Sequence, residues 1–461
     1  MASVARFLSG GGAGKNGRFV IKTFNAISPK GLARFDEAKY SIARASEAPE
    51  IAHAILLRSH KLQAEDVPLM CRAIARCGAG TNNCNVELMT SLGIPVFNTP
   101  GANANAVKEL VVCALLLSSR GVLEGANHMT ALYEQGKANE RIEKDKATFG
   151  GREIRGKVLG VVGLGAIGAA VTEAAMSLGM SVVGYDPSLS VAAALRLPRA
   201  GSSGFTVVSD LKEVCANADY LTLHAPYLKD ETHHMIGADE LKAMKPDASI
   251  LNFARGELVD AEALAKRFDD VPYSRYVCDF ALPEDDTALW KRPNVITIPH
   301  LGASTAEAEE NAAAMAADTV QTFLETGSLQ HSVNFPTTDL PRRNDANTRI
   351  CVVNENKPGM LAEIMAVFGN AQINVLQQIN ASRGDVAYNV IDIAKPTKDF
   401  SQLNFKSWDA LQHALTSIPG VKSTRFVYDH AGSGYAIQHA GHVFGVGTLQ
   451  PEGVPHFAAL L

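Results

Sequence analysis

From Lys157 to His300 the chain repeats one unit: "KVLGVVGLG", "MSVVGYDP", "YLTLHAPY", "ASILNFARG", "SRYVCDFA" and "NVITIPHLG". Each is a short, nearly continuous apolar run followed by a segment of helical length. A strand that is apolar at successive positions is buried on both faces, which is the condition of a parallel sheet covered by helices. Alternation of such strands with helices also demands crossover connections, and so parallel pairing. This repeat predicts an α/β fold with a doubly wound parallel sheet. A looser version precedes it in "RFVIKTFN", "AHAILLRS", "RAIARCGAG" and "IPVFNTPG", so a second sheet of the same kind is expected. Ligands of these sheets bind beyond the carboxyl ends of the strands, and the polar residues at those ends become the candidates for chemistry.

Other segments set the organisation. A long helix is expected from about Asn103 to Arg120, with Val107, Leu110, Val111, Ala114 and Leu117 on one stripe. The charged stretch Tyr133 to Gly151 reads as a connector. A second long, Ala-rich helix is expected from Ser304 to Glu325, and the Pro/Asn/Asp-rich residues 334–348 read as a linker. From "TRICVV" the order is strand, helix, strand, strand, helix, strand, which is the split βαβ, ferredoxin-like plan. A polar insertion at 395–408 and a Gly/His-rich stretch after Tyr428 have no assigned role.

Composition narrows the class. The 461 residues are 46% hydrophobic and 20% charged, with net charge −5. No basic block is present, so a nucleic-acid partner is not expected. No apolar run reaches the ~20 residues of a membrane helix. The seven cysteines show no CxxC pair and read as reduced thiols, which points to a cytoplasmic protein. Cys71, Cys77 and Cys84 share no ligand spacing with a His or Asp, so no metal is expected. The N-terminal "MASVARFLSGGGAGKNGR" reads as a Gly-rich tail; an organellar transit peptide is the alternative.

"VVGLGAIGAA" carries Gly163, Leu164, Gly165, Ala166, Ile167 and Gly168 between a strand and a helix. A bare GxGxxG is weak evidence. Here a second strand follows and ends in Asp186, about twenty residues on, where a ribose-binding acid belongs. The acid would repel a 2′-phosphate, and no Arg or Lys occupies 187–189, so NAD is the expected cofactor rather than NADP.

Arg255 sits just past a strand end in "LNFARGELVD". Glu284 follows another strand in "VCDFALPEDD", and His300 ends a third in "TIPHLGAST". Singly, each is as readily a surface ion pair, an acidic loop or a helix cap. Together, at three strand ends of one dinucleotide fold, they form an expected catalytic set. Arg255 anchors substrate through its forked donors, His300 carries the proton, and Glu284 orients it and favours the imidazolium form.

The motifs "GLGAIG", "NFARGELVD", "DFALPE" and "PHLGAST" resemble those of the D-isomer-specific 2-hydroxyacid dehydrogenases. "GAGTNNCN" and "NTPGANANAVKEL" are similar to the branch that oxidises 3-phospho-D-glycerate at the start of L-serine biosynthesis. The resemblance spans about Phe19 to Tyr428. It implies a flavodoxin-like substrate domain (19–120 with 303–335), an inserted Rossmann-like NAD domain (121–302), a linker (336–347) and a C-terminal ACT domain (348–428). It implies cofactor contacts at Tyr185, Asp186, Pro187, His224, Ala225, Pro226, Thr232, Phe253, Ala254, Asp279, Gly302 and Ala303, besides the glycine turn. For substrate it implies Arg58, Ser59, the backbone at Ala79 and Gly80, and Asn103, with Lys144 and Lys146 as further candidates for the phosphate. "VVNENKPGMLAEI" with "INV" resembles an ACT domain. Its aligned effector positions are Asn354, Asn356 and Asn374, with Asn354 where serine-regulated relatives carry a His; an L-serine effector is a partner the resemblance implies. A homodimer or homotetramer is the implied assembly. The alternatives are a reductase of another 2-oxo acid and a non-catalytic NAD-sensing protein, the latter disfavoured by the intact Arg, Glu and His.

Overall fold

The computed structural model describes residues 18–47, 52–68, 71–198, 204–284, 287–340, 347–394 and 408–427. Residues 1–17 of the N-terminal tail, most of the linker, residues 395–407 of the insertion and the C-terminal extension lie outside these. The chain divides into two compact units, residues 1–102 with 309–461 and residues 103–308.

The first unit holds two sheets. Strands β1 (Phe19–Thr23), β2 (Tyr40–Arg44), β3 (Ala54–Leu57), β4 (Ala73–Arg76) and β5 (Val96–Phe97) pair in parallel in the order 2-1-3-4-5, which is the flavodoxin-like arrangement. β1 and β3 are buried along their whole length; β3 is apolar throughout, while in β1 the buried Lys22 donates to the Asp66 carbonyl at 3.0 Å. β2 escapes the sequence pattern because "YSIAR" is an edge strand with exposed positions. Gly31 packs so closely that a Cβ there would stand 2.3 Å from Cβ of Ala313. Small residues on both sides are the condition of that contact.

The second unit is numbered from helix α1 (Ala104–Ser119), followed by α2 (Val122–Glu134) and α3 (Ala138–Asp145). The stretch read as a connector is therefore largely helical. The exposed i,i+4 ion pairs Glu140–Lys144 and Arg141–Asp145 support a helix that lacks an apolar stripe. Strands β6 (Val158–Val162), β7 (Ser181–Tyr185), β8 (Phe205–Val207), β9 (Tyr220–Leu223), β10 (Ser249–Asn252), β11 (Tyr276–Cys278) and β12 (Val295–Thr297) form one parallel sheet. Its order, 12-11-10-9-6-7-8, is the Rossmann order with one added strand. Helix α4 (Ala166–Ser177) follows β6. α1, which the sequence groups with the first sheet, buries Val107, Val111, Ala114 and Leu115 in one core with Leu159 and Leu251 of this sheet.

The long helix α5 (Ala306–Thr326) carries Ala313, Ala316, Ala317, Val320 and Leu324 into the core of the first unit. After it come β13 (Asn347–Glu355), α6 (Met360–Asn370), β14 (Val375–Arg383), β15 (Val386–Ala394), α7 (Trp408–Thr416) and β16 (Val421–Val427). The antiparallel order 14-15-13-16 is ferredoxin-like, as the sequence predicts. One face of this sheet, with Ile350, Val352, Ile391 and Phe426, packs on Ile364, Phe368, Leu411 and Leu415 of the helices. The other, with Cys351, Val353, Tyr388 and Val390, joins Phe97, Phe323 and Phe335 in the core of the first sheet. Across that contact Arg349 and Asp392 form a fully buried bidentate pair, at 2.7 and 2.8 Å. Arg349 Nη1 also donates to the carbonyl of Thr326, Arg425 to that of Phe323 and the Tyr388 hydroxyl to that of Gly327. The Thr326 carbonyl is one that a helix end leaves without an intrahelical partner, and the Phe323 carbonyl also accepts from Gly327 N–H at 2.9 Å; three buried side chains thus close over the end of α5.

Candidate active site

The glycine turn takes the shape its sequence requires. Gly163 lies at φ +90°, where an added Cβ would meet the His224 carbonyl carbon at 2.7 Å. A Cβ at Gly168 would stand 1.9 Å from the carbonyl oxygen of Gly163. At Gly165, which caps α4, a Cβ would point into open space. That is the side from which a pyrophosphate approaches the helix N-terminus. Asp186, past the end of β7, accepts from the Leu164 N–H at 2.9 Å and the Ser188 N–H at 2.9 Å, which ties the ribose-side acid to the turn. His224 ends β9. Its Nε2 faces the Thr222 hydroxyl at 2.9 Å, and its Nδ1 is a buried atom with no partner among the described residues. Burial pushes its pKa down to about 3, so the ring is neutral. The loop after it is closed by the Thr232 hydroxyl, which donates to the Pro226 carbonyl and accepts from Leu228 N–H. Ala225, Ala254 and Tyr185 pack against the core that holds Val162, Leu223, Ile250 and Leu258. Phe253 lies against the opposite one, and Pro187 is exposed. The open Gly165, the placed acid and the unpartnered His224 Nδ1 fit a dinucleotide.

Arg255 stands immediately past β10, half-buried, with Nη1 donating to the Ala254 carbonyl at 2.7 Å. A residue that the sequence reading passed over sets this turn. Asn252 is fully buried at the end of β10. Its side chain donates to the Arg255 carbonyl at 2.9 Å and to the Tyr276 hydroxyl at 3.2 Å, and accepts from Ala254 N–H at 3.1 Å. The signal was an amide inside an otherwise apolar run.

His300 is exposed and lies at φ +56°, a strained conformation for a residue with a side chain. Its N–H donates to the Ile298 carbonyl at 2.9 Å. Asp279, buried at the end of β11, holds the next two residues: its oxygens accept from Leu301 N–H at 2.6 Å and Gly302 N–H at 2.7 Å. The carboxylate expected at the cofactor thus fixes the turn on which His300 is carried. Ala303 follows directly. Glu284 is exposed, and its backbone carbonyl accepts from the Trp290 indole at 3.2 Å. Among the described residues no hydrogen bond or ion pair joins the side chains of Arg255, Glu284 and His300. β10, β11 and β12 are adjacent strands, and the three residues follow their carboxyl ends. Asn103, at the start of α1, has a buried Oδ1 with no partner among the described residues. Lys144 and Lys146 sit on the exposed surface, paired with Glu140 and Glu143.

In the first unit, Arg58 and Ser59 follow β3. The N–H groups of Arg58, Ser59 and His60 all point at Oδ1 of Asn25, at 3.4, 3.1 and 2.8 Å. Ala79 and Gly80 follow β4, with the Ala79 carbonyl accepting from the Asn98 amide at 2.7 Å. Of the three effector positions, Asn354 is buried and engaged inside the sheet: Oδ1 accepts from Asn389 and Nδ2 donates to the Glu355 carbonyl, both at 2.7 Å. Asn356 donates to the Gly384 carbonyl at 3.0 Å, and Asn374 is exposed. Among the described residues no cluster of ligating side chains could hold a metal ion, and no helix is long and apolar enough to cross a membrane.

Residues 120–302 match the family described as "D-isomer specific 2-hydroxyacid dehydrogenase, NAD binding domain". A protein of Escherichia coli (strain K12) named D-3-phosphoglycerate dehydrogenase is 33% identical over 391 residues, covering 82% of this chain and 87% of that protein. The chain belongs to the D-isomer-specific 2-hydroxyacid dehydrogenases. A member of that family from Dictyostelium discoideum, also named D-3-phosphoglycerate dehydrogenase, is 30% identical over 388 residues, with 82% and 87% covered. Among solved structures, the NAD-bound 3-phosphoglycerate dehydrogenase of Entamoeba histolytica shares the fold at TM-score 0.54 and 24% identity, covering 68% of this chain and 98% of that one. This 2-hydroxyacid dehydrogenase is an NAD-dependent oxidoreductase, as the turn at Gly163 and the acid at Asp186 predict.

Proposed function

We propose that the enzyme oxidises 3-phospho-D-glycerate at C2 to 3-phosphohydroxypyruvate, the first step of L-serine biosynthesis. The observation that carries the reading is the reach of the alignment. Relatives named for this substrate match over 82% of the chain.

The bound cofactor supplies the hydride acceptor. Residues of the glycine turn, Asp186 and His224 hold it, with neighbouring contacts from Tyr185, Pro187, Ala225, Pro226, Thr232, Phe253, Ala254, Gly302 and Ala303. His300 takes the proton of the C2 hydroxyl, and its strained turn, locked by Asp279, fixes where the imidazole is presented. Arg255 binds the carboxylate beside the reacting carbon through its fork of donors. Glu284 acts as the orienting carboxylate, a role that requires it to come within hydrogen-bond reach of His300. Arg58 and Ser59 receive the distal phosphate, the backbone at Ala79 and Gly80 receives the carboxylate end, and Asn103 serves the substrate from the nicotinamide side. A homodimer fits the exposed Leu116, Val122, Leu123 and Tyr133 of α1 and α2.

The test is NAD reduction with 3-phospho-D-glycerate against D-glycerate and D-2-hydroxyglutarate, with and without L-serine. Turnover of the phosphorylated substrate is expected to exceed both others. Serine is expected to leave the rate unchanged, since the Asn354 and Asn356 amides are already bonded internally. The His300→Ala variant is expected to lose about 10²–10⁴-fold in kcat. Preferential turnover of an unphosphorylated acid, or full activity in that variant, would sink the reading.

A further inference from the structure

We infer that Asn98 is a positioning residue for the substrate's carboxylate: its side-chain amide aims the backbone N–H groups that receive it. The inference rests on the reading of the Ala79–Gly80 turn as a substrate site given above, and adds the residue that sets the direction of that turn.

A trans peptide unit is planar, so its C=O and N–H point in opposite directions. Whatever holds the carbonyl of one residue therefore fixes where the N–H of the next one points. Asn98 Nδ2 donates to the Ala79 carbonyl at 2.7 Å, and that carbonyl shares its peptide with the Gly80 N–H. Thr99 N–H donates to the Gly78 carbonyl at 3.0 Å, whose peptide carries the Ala79 N–H. Two consecutive residues thus grip two consecutive carbonyls, and the two N–H groups are turned away from them. Among the described residues neither of these N–H groups has a hydrogen-bond partner. Ala79 is exposed and Gly80 half-buried. Adjacent backbone donors aimed the same way make a seat for an anion.

Asn98 is itself held from behind. It follows β5, the outer strand of its sheet, and residues 331–334 cover the open side of that strand. Phe97 bridges to Ser332, Val333 N–H donates to the Val96 carbonyl at 2.9 Å, and Asn98 N–H donates to the His331 carbonyl at 3.1 Å. The buried Asn334 locks the segment, accepting from Val96 N–H at 2.8 Å and donating to the Ile94 carbonyl at 3.0 Å. The amide of Asn98 therefore reaches the turn from a fixed root. The turn is aimed before a carboxylate arrives, so binding need not spend affinity on ordering it. Without the amide the Ala79 carbonyl turns to water, and the Gly80 N–H samples other directions. The carboxylate does not react, so the loss falls equally on the ground state and the transition state and shows in KM rather than kcat.

Asn98→Leu keeps the size and removes the donor without adding charge, and Asn98→Ala removes it without the bulk. In both, KM for 3-phospho-D-glycerate is expected to rise about 2- to 12-fold, the worth of one hydrogen bond, with kcat and KM for NAD within about twofold of wild type. The inhibition constant of oxalate, a carboxylate probe that carries no phosphate, is expected to rise by the same factor on the NAD-loaded enzyme. Hydrogen exchange separates the inference from the reading beneath it. At a fixed concentration, oxalate is expected to slow exchange in the wild-type peptide containing Ala79 and Gly80, and to slow it less in Asn98→Leu. No slowing in the wild type sinks the reading of the turn, and the inference with it. Slowing in the wild type, with KM and oxalate inhibition unchanged in both variants, overturns the role of Asn98 alone. The wild-type substrate comparison decides the proposed function separately, since oxalate is read whichever acid the enzyme oxidises.

Discussion

Asp279→Asn separates two roles that one carboxylate fills in this structure. Both Asp279 oxygens accept backbone N–H groups, from Leu301 and Gly302, directly after His300 at φ +56°. A hydrogen bond to a charged acceptor contributes about 1.5–3 kcal/mol. A non-glycine residue in the left-handed region costs about 1–3 kcal/mol. Two such bonds exceed the strain, and one only balances it. Asparagine keeps one acceptor and turns an amide N–H₂ toward the other N–H. With one bond only balancing the strain, the N–H left unpaired costs about 1–3 kcal/mol more, which at about 1.4 kcal/mol per tenfold lowers the population of the held turn by roughly 5- to 150-fold. We expect kcat to fall within that range at saturating substrate and NAD, and the Leu301 and Gly302 amides to lose hydrogen-exchange protection. A kcat within twofold of wild type together with a raised KM for NAD would refute the reasoning, because Asp279 would then act on the cofactor alone.

Two further outcomes follow from buried charge. Arg349→Met leaves the Asp392 carboxylate buried without its bidentate partner and is expected to cost about 3–5 kcal/mol, read as hydrogen exchange in β13 and β15. The double change Arg349→Met with Asp392→Leu should recover most of that, and a double variant as unstable as the single one would count against the pair as the cause. His53 is buried, with Nδ1 accepting from Val20 N–H at 2.9 Å and Nε2 without a partner among the described residues. Burial, aided by the nearby Arg72, lowers its pKa from 6.5 to about 3. Its folded pKa lies below the unfolded one, so its contribution to stability is whole above pH 6.5 and is lost as pH falls toward 3, by about 1.4 kcal/mol per pH unit. His224 has the same shift. Denaturant unfolding at pH 7.5, 6.5 and 5.5 should show a shallower acid slope in His53→Gln, and an unaltered slope would exclude this origin.

The long apolar repeats were legible because burial on both faces leaves few polar residues in a strand, and all seven strands of the second sheet but β8 follow from them. β2 and β8 were not, because exposed positions interrupt their apolar runs. The glycine turn was legible because its spacing is fixed by three demands: the left-handed φ of Gly163, the close approach of Gly168 to the Gly163 carbonyl, and open space at Gly165 on the side of the pyrophosphate. Arg255 and His300 could be placed at strand ends, but Asn252 and Asp279 could not be recognised as what holds them. Their partners are backbone groups, which every residue carries and no sequence marks.

The capped end of α5 has a practical meaning for anyone who wishes to shorten this enzyme. A two-sheet dehydrogenase cut after Leu340 would keep the glycine turn, Arg255 and His300. It would also leave the carbonyls of Phe323, Thr326 and Gly327 without the donors of Arg425, Arg349 and Tyr388, and it would strip the cover from Phe97, Phe323 and Phe335. The C-terminal sheet is therefore part of the first unit's interior as much as its periphery. Among the described residues its central strands β13 and β15 are covered on both sides, while the edge strand β14 stays open, so an effector reaches this sheet by pairing along that edge.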